Sequence, residues 1–518
     1  MNADPSTRQP FFYDITLRDG NQALRKPWNT REKKVVFQRL LELGVQGVEV
    51  GFSGASEMDF EACAALAEIA PPAVVISGLA RAVERDIQKV ADAIAAAPRQ
   101  RIHTFIAMSP FNMAHVLRKK PEDVAKIAVE AVTRAAALMK PRGGEVQFSA
   151  EHFGDCRENL PWVIETFLRV VEAGATIINL PNTVERARPF AFVDMVRQVV
   201  AAMPAHVTVA VHCHNDLGMG TATTVESYFA GARQLEVSIN GLGERAGNTN
   251  LFEVAVALHN CDVAIPLDMT RIYPTAIEVS EMSGVPIHEK APLIGADAMA
   301  HRSGIHQDGV AKTKDMEKGA YRPIHPSLIG REGAERLGFT SQSGKTAVYE
   351  ILTGAGWPIT IEEAIELQPR LKALSESRGE LPVDVMVQEY RDHVNHVPGP
   401  FQFLKMDRLE NGGGVEKFSL RFIHDGKEVE EIGEGDGPID ACLNALKKRG
   451  VQVELVHYEQ HALAEERDGA AAEAMTVIRL RQPGESDSVI CRGIDTDTRR
   501  ANVRAIFNGL NRLATKTS

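Results

Sequence analysis

Between residues 11 and about 262 the chain switches eight times from a short strand-like run to a stretch of helical period, and this alternation constrains the fold more than anything else in it. The strand candidates are Phe11–Leu17, Gly47–Phe52, Ala73–Leu79, Arg101–Ala107, Glu145–Ser149, Thr176–Leu180, Val207–His212 and Leu235–Asn240. Between them Ala, Leu and Val recur at helical spacing, as over Pro121–Met139 and Pro189–Met203. A helical crossover returns the chain to the same end of a sheet, so the strands it joins run parallel. Eight such units suit a closed α/β fold, the (β/α)8 or TIM barrel, in number and in length. An open doubly wound sheet is the other candidate. It is disfavoured because no Gly-x-Gly-x-x-Gly opens the first helix.

In such a barrel the working residues collect where each strand runs into its following loop. Polar residues cluster at those places: Arg18-Asp19-Gly20, Glu151-His152, Asn182-Thr183, His212 to Asp216, and Gly243-Glu244-Arg245. Strand alternation turns His212 and His214 to one face and Cys213 to the other. Two imidazoles side by side are half of a divalent-metal site, or else two buried histidines bonded to backbone. Asp19 is a hard oxygen ligand that would complete the site, and Arg18 beside it supplies a fixed positive charge. The alternative is a turn-capping Asp and a surface Arg. After the eighth run, Gly241, Gly243 and Gly247 allow close backbone approach. There Asn248 offers an amide oxygen to a metal, and Glu244 and Arg245 are expected to pair as a brace. A metal beside a guanidinium stabilises a developing enolate or alkoxide. No Cys or Ser with a partnered base stands out, so Lewis-acid polarisation of a carbonyl is the better-supported chemistry.

Bulk properties narrow the class. A chain of 518 residues with 44% apolar and 25% charged residues is globular and has more than one domain. A net charge of -11 argues against nucleic-acid partners. No apolar run is long enough to span a bilayer. The six cysteines include no Cys-x-x-Cys pair, which points to a reducing, cytoplasmic setting.

After about residue 262 the alternation stops, and residues 263–330 read as loops. Residues 331–390 read as a small helical linker. At Pro398-Gly399-Pro400 the pattern resets into two similar blocks. Phe401–Met406, Lys417–His424 and Lys427–Ile432 lead to a helix at Ile439–Arg449. Val453–His457, Met475–Arg481 and Ser488–Ile494 lead to a helix at Arg499–Leu513. This internal repeat of ββ(β)α units forms an α+β domain for ligand binding or dimerisation, and glycine-rich helix starts suit a small carboxylate. Glu459–Ala474 reads as a mobile, charged, Ala-rich connector. The expected division is a catalytic barrel over 1–285, linker subdomains over 286–395 and a regulatory domain over 396–518.

Four stretches taken together resemble the 2-isopropylmalate synthase family: Asp14–Gln22 (DITLRDGNQ), His212–Gly218 (HCHNDLG), Gly241–Asn248 (GLGERAGN) and His301–Gly309 (HRSGIHQDG). The resemblance runs over nearly the whole chain. It implies a metal-dependent condensation of acetyl-CoA with 3-methyl-2-oxobutanoate that releases CoA and opens leucine synthesis. It also implies a divalent metal on Asp19, His212, His214 and Asn248. Mg2+ or Mn2+ is favoured for such a ligand set, and Zn2+ would bind it too. Arg18 would bind the keto oxygen, and Thr183, in the Asn179–Thr183 stretch, the carboxylate. His103 and Ser149, with Asn179, fall where relatives line the keto-acid pocket. Glu151 matches the catalytic glutamate, and His306 and Tyr321 would reach the active site of the partner subunit in a homodimer. Leucine would bind the C-terminal repeats as a feedback inhibitor. His152 stands where many relatives have Asp and Arg302 where many have Glu, and both are expected near the site. Citramalate and homocitrate synthases, acting on pyruvate and 2-oxoglutarate, share the mechanism. Homocitrate-type members tend to carry an Arg on the fifth strand, where this chain has Gln147. A lyase of the same superfamily, a metal-dependent amidohydrolase and an inactive amino-acid sensor are the remaining alternatives.

Overall fold

Eight parallel strands pair side by side in chain order, and the first closes on the last. In this computed structural model, residues 9–316, 318–333, 336–410, 415–463 and 473–517 are described. The barrel strands are β1 Phe11–Asp14, β2 Gly47–Glu49, β3 Val75–Arg81, β4 Gln100–Ala107, β5 Glu145–Glu151, β6 Ile177–Asn182, β7 Thr208–Cys213 and β8 Gln234–Val237. Closure runs through the β1–β8 ladder, from Phe11 opposite Gln234 to Asp14 opposite Val237. The helices between them are α1 Thr30–Leu43, α2 Glu57–Ala67, α3 Glu84–Ala93, α4 Pro121–Met139, α5 Leu160–Glu172, α6 Pro189–Ala202 and α7 Gly220–Phe229, with α8 Leu251–His259 after β8.

The period of two in the strands sorts the side chains. Phe12, Val48, Ile76, Ile102, Val146, Phe148, Ile178, Val209, Val211, Leu235 and Val237 join the apolar layer between strands and helices. Phe148, for example, meets Phe167 of α5 edge to face, with ring centroids 6.4 Å apart. The alternate positions, among them Arg101, His103, Gln147, Ser149, Asn179, His212, Gln234 and Glu236, are buried and polar. Opposite faces of one strand therefore serve the core and the site. Five of the six cysteines are buried, and only Cys261 is exposed.

Three strand ends fall short of expectation, the second strand stopping at Glu49 rather than Phe52. The first strand stops at Asp14 rather than Leu17, because the N–H groups of Arg18, Asp19 and Gly20 all turn back to the Ile15 carbonyl at 3.1, 2.9 and 3.3 Å. That makes Thr16–Gly20 a single π-helical turn, a form that concentrates at functional sites. The eighth strand stops at Val237, and a 3-10 turn over Ile239–Gly241 follows, with Asn240 at φ +55°. The loop reading of residues 263–330 is also corrected, since helix α9 spans Ile272–Ser283 and α10 spans Gly304–Lys312. Pro274 sits in the first turn of α9, where a helix has no use for the missing N–H.

By contact density the chain forms two compact units. One comprises the described residues up to 299 with 324–333; the other comprises 300–323 with the described residues from 336 onward. In the second unit β9 (Ala300–His301) pairs with β10 (Arg336–Leu337), and α11 Lys345–Gly354, α12 Ile361–Arg378 and α13 Val383–Asn395 follow. Two antiparallel three-stranded sheets come next. The first holds β11 Phe401–Glu410, β12 Glu416–His424 and β13 Lys427–Gly435; the second holds β14 Glu454–Leu463, β15 Glu473–Arg481 and β16 Ser488–Asp495. Each leads into one helix, α14 Pro438–Lys448 and α15 Thr498–Thr517. The proposed connector Glu459–Ala474 is corrected at its ends, because Glu459–Leu463 belong to β14 and Glu473-Ala474 to β15. Its middle, 464–472, lies outside the described residues.

Asn511 on α15 closes this unit. Its Nδ2 donates to the Val397 and Phe401 carbonyls at 2.8 and 2.7 Å, and its Oδ1 accepts the Phe401 N–H at 2.9 Å. Asn511→Ala strands all three groups, and is expected to destabilise this unit by about 1–3 kcal/mol in chemical denaturation.

Candidate active site

The π-helical turn after β1 sets the position of Arg18 and Asp19. Asp14 anchors it, accepting the Thr16 N–H and hydroxyl at 2.8 and 2.9 Å. Asp14 is fully buried, and burial lifts its carboxyl to about 7 against those two bonds. The turn delivers Arg18 into the barrel mouth, where Nη1 lies 2.5 Å from Asp19 Oδ1 and Nε bonds Glu49 of β2. Burial works against the Arg18 cation, but the Glu49 and Asp19 carboxylates hold it charged, with its pKa above the ordinary value.

Glu49 is the hub of a second series of bonds. Its Oε1 lies 2.5 Å from His103 Nδ1 on β4, and His103 Nε2 lies 2.6 Å from the Ser149 hydroxyl on β5. Asn179 on β6 donates to that hydroxyl at 2.8 Å. Burial raises the Glu49 carboxyl, yet Arg18 and His103 together take it below the usual carboxylate range. Three predicted pocket residues, His103, Ser149 and Asn179, are thus brought together on one wall.

On the opposite wall Asp19, His212 and His214 converge, with one ligand atom of each within 4.8 Å of the others. The rings of His212 and His214 have centroids 5.0 Å apart, and their Nε2 atoms lie 3.3 Å apart. Cys213 points away into the apolar layer, where burial pushes its thiol up to about 12. Asn248 donates from Nδ2 to Asp19 at 2.6 Å and to the Leu242 carbonyl at 3.0 Å, while its Oδ1 is buried without a partner, as is His214 Nδ1. Burial and the neighbouring His212 lower the His214 pKa to about 3, so its ring is neutral. Burial raises the Asp19 carboxyl, but Arg18, His212, His214 and the Asn248 amide outweigh it and keep the group ionised. An ionised carboxylate, two imidazole nitrogens facing each other and an orphaned amide oxygen fit a divalent cation. Among the described residues this is the single such cluster.

These walls enclose a cavity of about 220 Å3, lined also by Glu151, Thr183, Leu79, Phe105 and Pro181. Burial raises the Glu151 carboxyl, and His152 and Arg18 oppose the shift. Thr183 Oγ1 accepts the backbone N–H of His152 at 2.9 Å, which leaves its own proton to donate elsewhere. His152 adopts a left-handed φ of +61°, and its Nδ1 lies 3.4 Å from Asp155. The expected Glu244–Arg245 brace is not formed. Arg245 instead grips Asp216 with Nε and Nη2 at 2.8 and 2.9 Å and the Thr183 carbonyl at 2.7 Å, tying together the loops after β6, β7 and β8. The loop after β7 is held further by buried Glu185, whose Oε2 accepts the Leu217 and Met219 N–H groups at 2.6 and 3.3 Å. His306 and Tyr321 lie in the second unit and stack at 4.0 Å, and Arg302 there pairs with Glu380 at 2.5 Å.

The sequence reading missed Glu49, Glu236, Leu79 and Phe105. An acid inside an apolar strand run, as in Gly47-Val48-Glu49, was the available signal, because such a group has to find partners once buried.

Three family models match the chain: HMGL-like over residues 9–279, the post-catalytic domain of alpha-isopropylmalate synthase over 297–353, and the LeuA allosteric (dimerisation) domain over 384–514. The chain is 56% identical over 370 residues to 2-isopropylmalate synthase 2 of Leptospira interrogans, covering 71% of this chain and 86% of that one. It is 36% identical over 512 residues to 2-isopropylmalate synthase of Nitratidesulfovibrio vulgaris, covering 98% and 96%. Among solved structures, HMG-CoA lyase of Bacillus subtilis is 18% identical with a TM-score of 0.46, covering 54% of this chain and 95% of that one. No helix among the described residues is long and apolar enough to cross a membrane.

Glu185→Ala frees the loop after β7. The expected cost is about 1–3 kcal/mol of stability, with faster hydrogen exchange at the Leu217 and Met219 amides. Unchanged protection there would remove Glu185 from the loop's support.

Proposed function

Since the chain belongs to the 2-isopropylmalate synthase family, we propose that it condenses acetyl-CoA with 3-methyl-2-oxobutanoate to 2-isopropylmalate and CoA, under feedback inhibition by leucine. The observation that carries the choice of keto acid is that apolar Leu79, Phe105 and Pro181 line the same cavity as Arg18 and the metal-ligand cluster. It suits a branched apolar side chain. A second carboxylate, as in 2-oxoglutarate, would need a cation there, and Gln147 is fully buried with its amide bonded to Arg101, Gln234 and Glu236. At about 220 Å3 the cavity falls below the roughly 300–1,000 Å3 of sites for larger ligands, so the CoA body has to lie outside it.

Asp19, His212, His214 and Asn248 Oδ1 would hold Mg2+ or Mn2+, with Zn2+ a further candidate. When bound, the cation would polarise the keto group as a Lewis acid. Arg18 commits Nε to Glu49 and Nη1 to Asp19, which leaves Nη2 for the keto oxygen. Thr183 offers its hydroxyl proton to the keto-acid carboxylate, and His103, Ser149 and Asn179 form the polar side of the pocket. Glu151, half-buried and with its pKa raised, serves the proton transfer that turns the acetyl methyl into a nucleophile. The carbanion adds to the keto carbon, and hydrolysis of the thioester then frees CoA. His306 and Tyr321 would complete the partner subunit's site in a homodimer. With its reduced cysteines and small metabolites the enzyme belongs in the cytoplasm.

For leucine, a cavity of about 380 Å3 lies between the two C-terminal repeats, lined by Gly437–Asp440 and Leu443 of the first and by Leu455, Tyr458 and Asn502 of the second. The start of α14 has no side-chain cap, so its N–H groups are available to a carboxylate beside the apolar Ile439, Leu443 and Leu455. The functional division follows 1–285, 286–395 and 396–518.

Thiol release from acetyl-CoA with a panel of 2-oxo acids, with and without leucine, tests the reading. Preference for 3-methyl-2-oxobutanoate and loss of rate in leucine are expected; preference for pyruvate would make the enzyme a citramalate synthase instead. Glu151→Gln should lower kcat by about 10²–10⁴-fold. Because a raised pKa keeps the carboxyl protonated to higher pH, the acid limb of kcat/KM should lie above the ordinary glutamate value of roughly 4.3. Asp19→Ala with His212→Ala should leave dialysed protein without stoichiometric metal.

A further inference from the structure

Below the metal-ligand cluster the barrel is filled with hydrogen-bonding side chains whose donors and acceptors run in one direction. The series starts at Arg101 on β4, which is 3% exposed. Its Nε and Nη2 hold Glu145 Oε2 at 2.9 and 2.6 Å, and the Phe11 and Tyr13 rings lie 5.6 and 5.3 Å from the guanidinium carbon. Its Nη1 donates to Gln147 Oε1 at 3.1 Å and to Gln234 Oε1 at 2.7 Å. A guanidinium can only donate, so both glutamine oxygens have to face it and both NH2 groups have to face away. Those groups meet Glu236 Oε1, at 2.6 Å from Gln147 and 3.1 Å from Gln234, and the second N–H of the Gln234 amide donates to Gln147 Oε1 at 2.9 Å. With two donors on Oε1, the other oxygen of Glu236 is left for His212, whose Nδ1 lies 2.9 Å away. A carboxylate accepts, so Nδ1 carries the proton and Nε2 keeps its lone pair, directed at His214 Nε2 3.3 Å away.

We propose that Arg101, Gln147, Gln234 and Glu236 are positioning residues that set the tautomer of His212 from the far end of the barrel. The permanent donor at Arg101 fixes two amides, the amides fix one carboxylate, and the carboxylate fixes which imidazole nitrogen is free to bind a cation. The consequence for metal affinity rests on the reading of His212 as a ligand. The tautomer itself does not.

The test is Glu236→Gln, which keeps size and shape. The two glutamine NH2 groups would still demand an oxygen opposite them, so the new amide would turn its NH2 toward His212 Nδ1. That makes Nδ1 an acceptor and moves the proton to Nε2, in the path of the cation. The first readout is 15N NMR of the metal-free, histidine-labelled full chain, with His212 assigned by difference from His212→Asn. The Nδ1–H tautomer is expected in the parent and the Nε2–H tautomer in Glu236→Gln. The second is Mn2+ affinity by titration, expected to fall about 10–100-fold, the range for removing a partner that orients a ligating histidine. Adding Arg101→Met releases the glutamine oxygens, lets the amides rotate and should recover part of the affinity lost in Glu236→Gln. A merely structural role would instead make the two losses add. An unchanged tautomer in Glu236→Gln would overturn the relay. A changed tautomer with unchanged Mn2+ affinity would uphold the relay and remove His212 from the metal site. Melting curves alongside exclude unfolding as the cause of either loss.

Discussion

The ladder between Phe11–Asp14 and Gln234–Val237 is the constraint on which the first unit depends. Parallel strands are stable when both faces are covered, and an open edge leaves a row of unpaired peptide groups. Joining the first strand to the last removes that edge and directs all eight strand ends to one rim. His212 at the end of β7 and Asp19 after β1 are far apart in sequence, and they become neighbours only because β8 lies between the two strands and closes the circle. The site is a product of closure, and no single βα unit contains it.

Closure also creates the main electrostatic difficulty, since Arg18, Asp19, Glu49, His103, His212 and Glu236 are all buried together. Each unpaired charge would be costly in such a place. The structure offsets this by giving most charged groups two partners: Arg18 takes Asp19 and Glu49, and Glu49 takes Arg18 and His103. Two of the buried polar atoms left without partners, Asn248 Oδ1 and His214 Nδ1, belong to residues of the metal-ligand cluster. Part of the unmet bonding capacity therefore lies where a ligand would supply it.

Much of this was legible because the governing rules are local. Helix α4 was read to the residue, since Pro121 opens it and the Ala/Val spacing persists to Met139. His212 and His214 announced a shared face through strand period alone. The failures came where a distant group decides the local conformation. Nothing within Phe11–Leu17 says that three N–H groups will turn back to Ile15. Likewise Glu244 is adjacent to Arg245 in sequence, yet Asp216, a neighbour only through the fold, takes the guanidinium. Glu49 and Glu236 were hidden by lying inside apolar runs, where period marks them as inward-facing but not which groups they will meet.

The burial of Cys213 between the two imidazole positions bears on oxidative chemistry. A thiol set in the apolar layer, with its pKa near 12, is almost wholly in the unreactive protonated form at neutral pH. Cys63, Cys156, Cys442 and Cys491 are buried as well, so Cys261 alone is open to thiol-disulfide exchange. The strand that carries His212 is thereby closed to thiols and disulfides in the surrounding solution. Exchange with the disulfide form of a small thiol, or with a colorimetric disulfide reagent, would place a mixed disulfide at one site, Cys261 on the loop after α8 and away from the strand that carries the histidines, and release one thiol per bond formed.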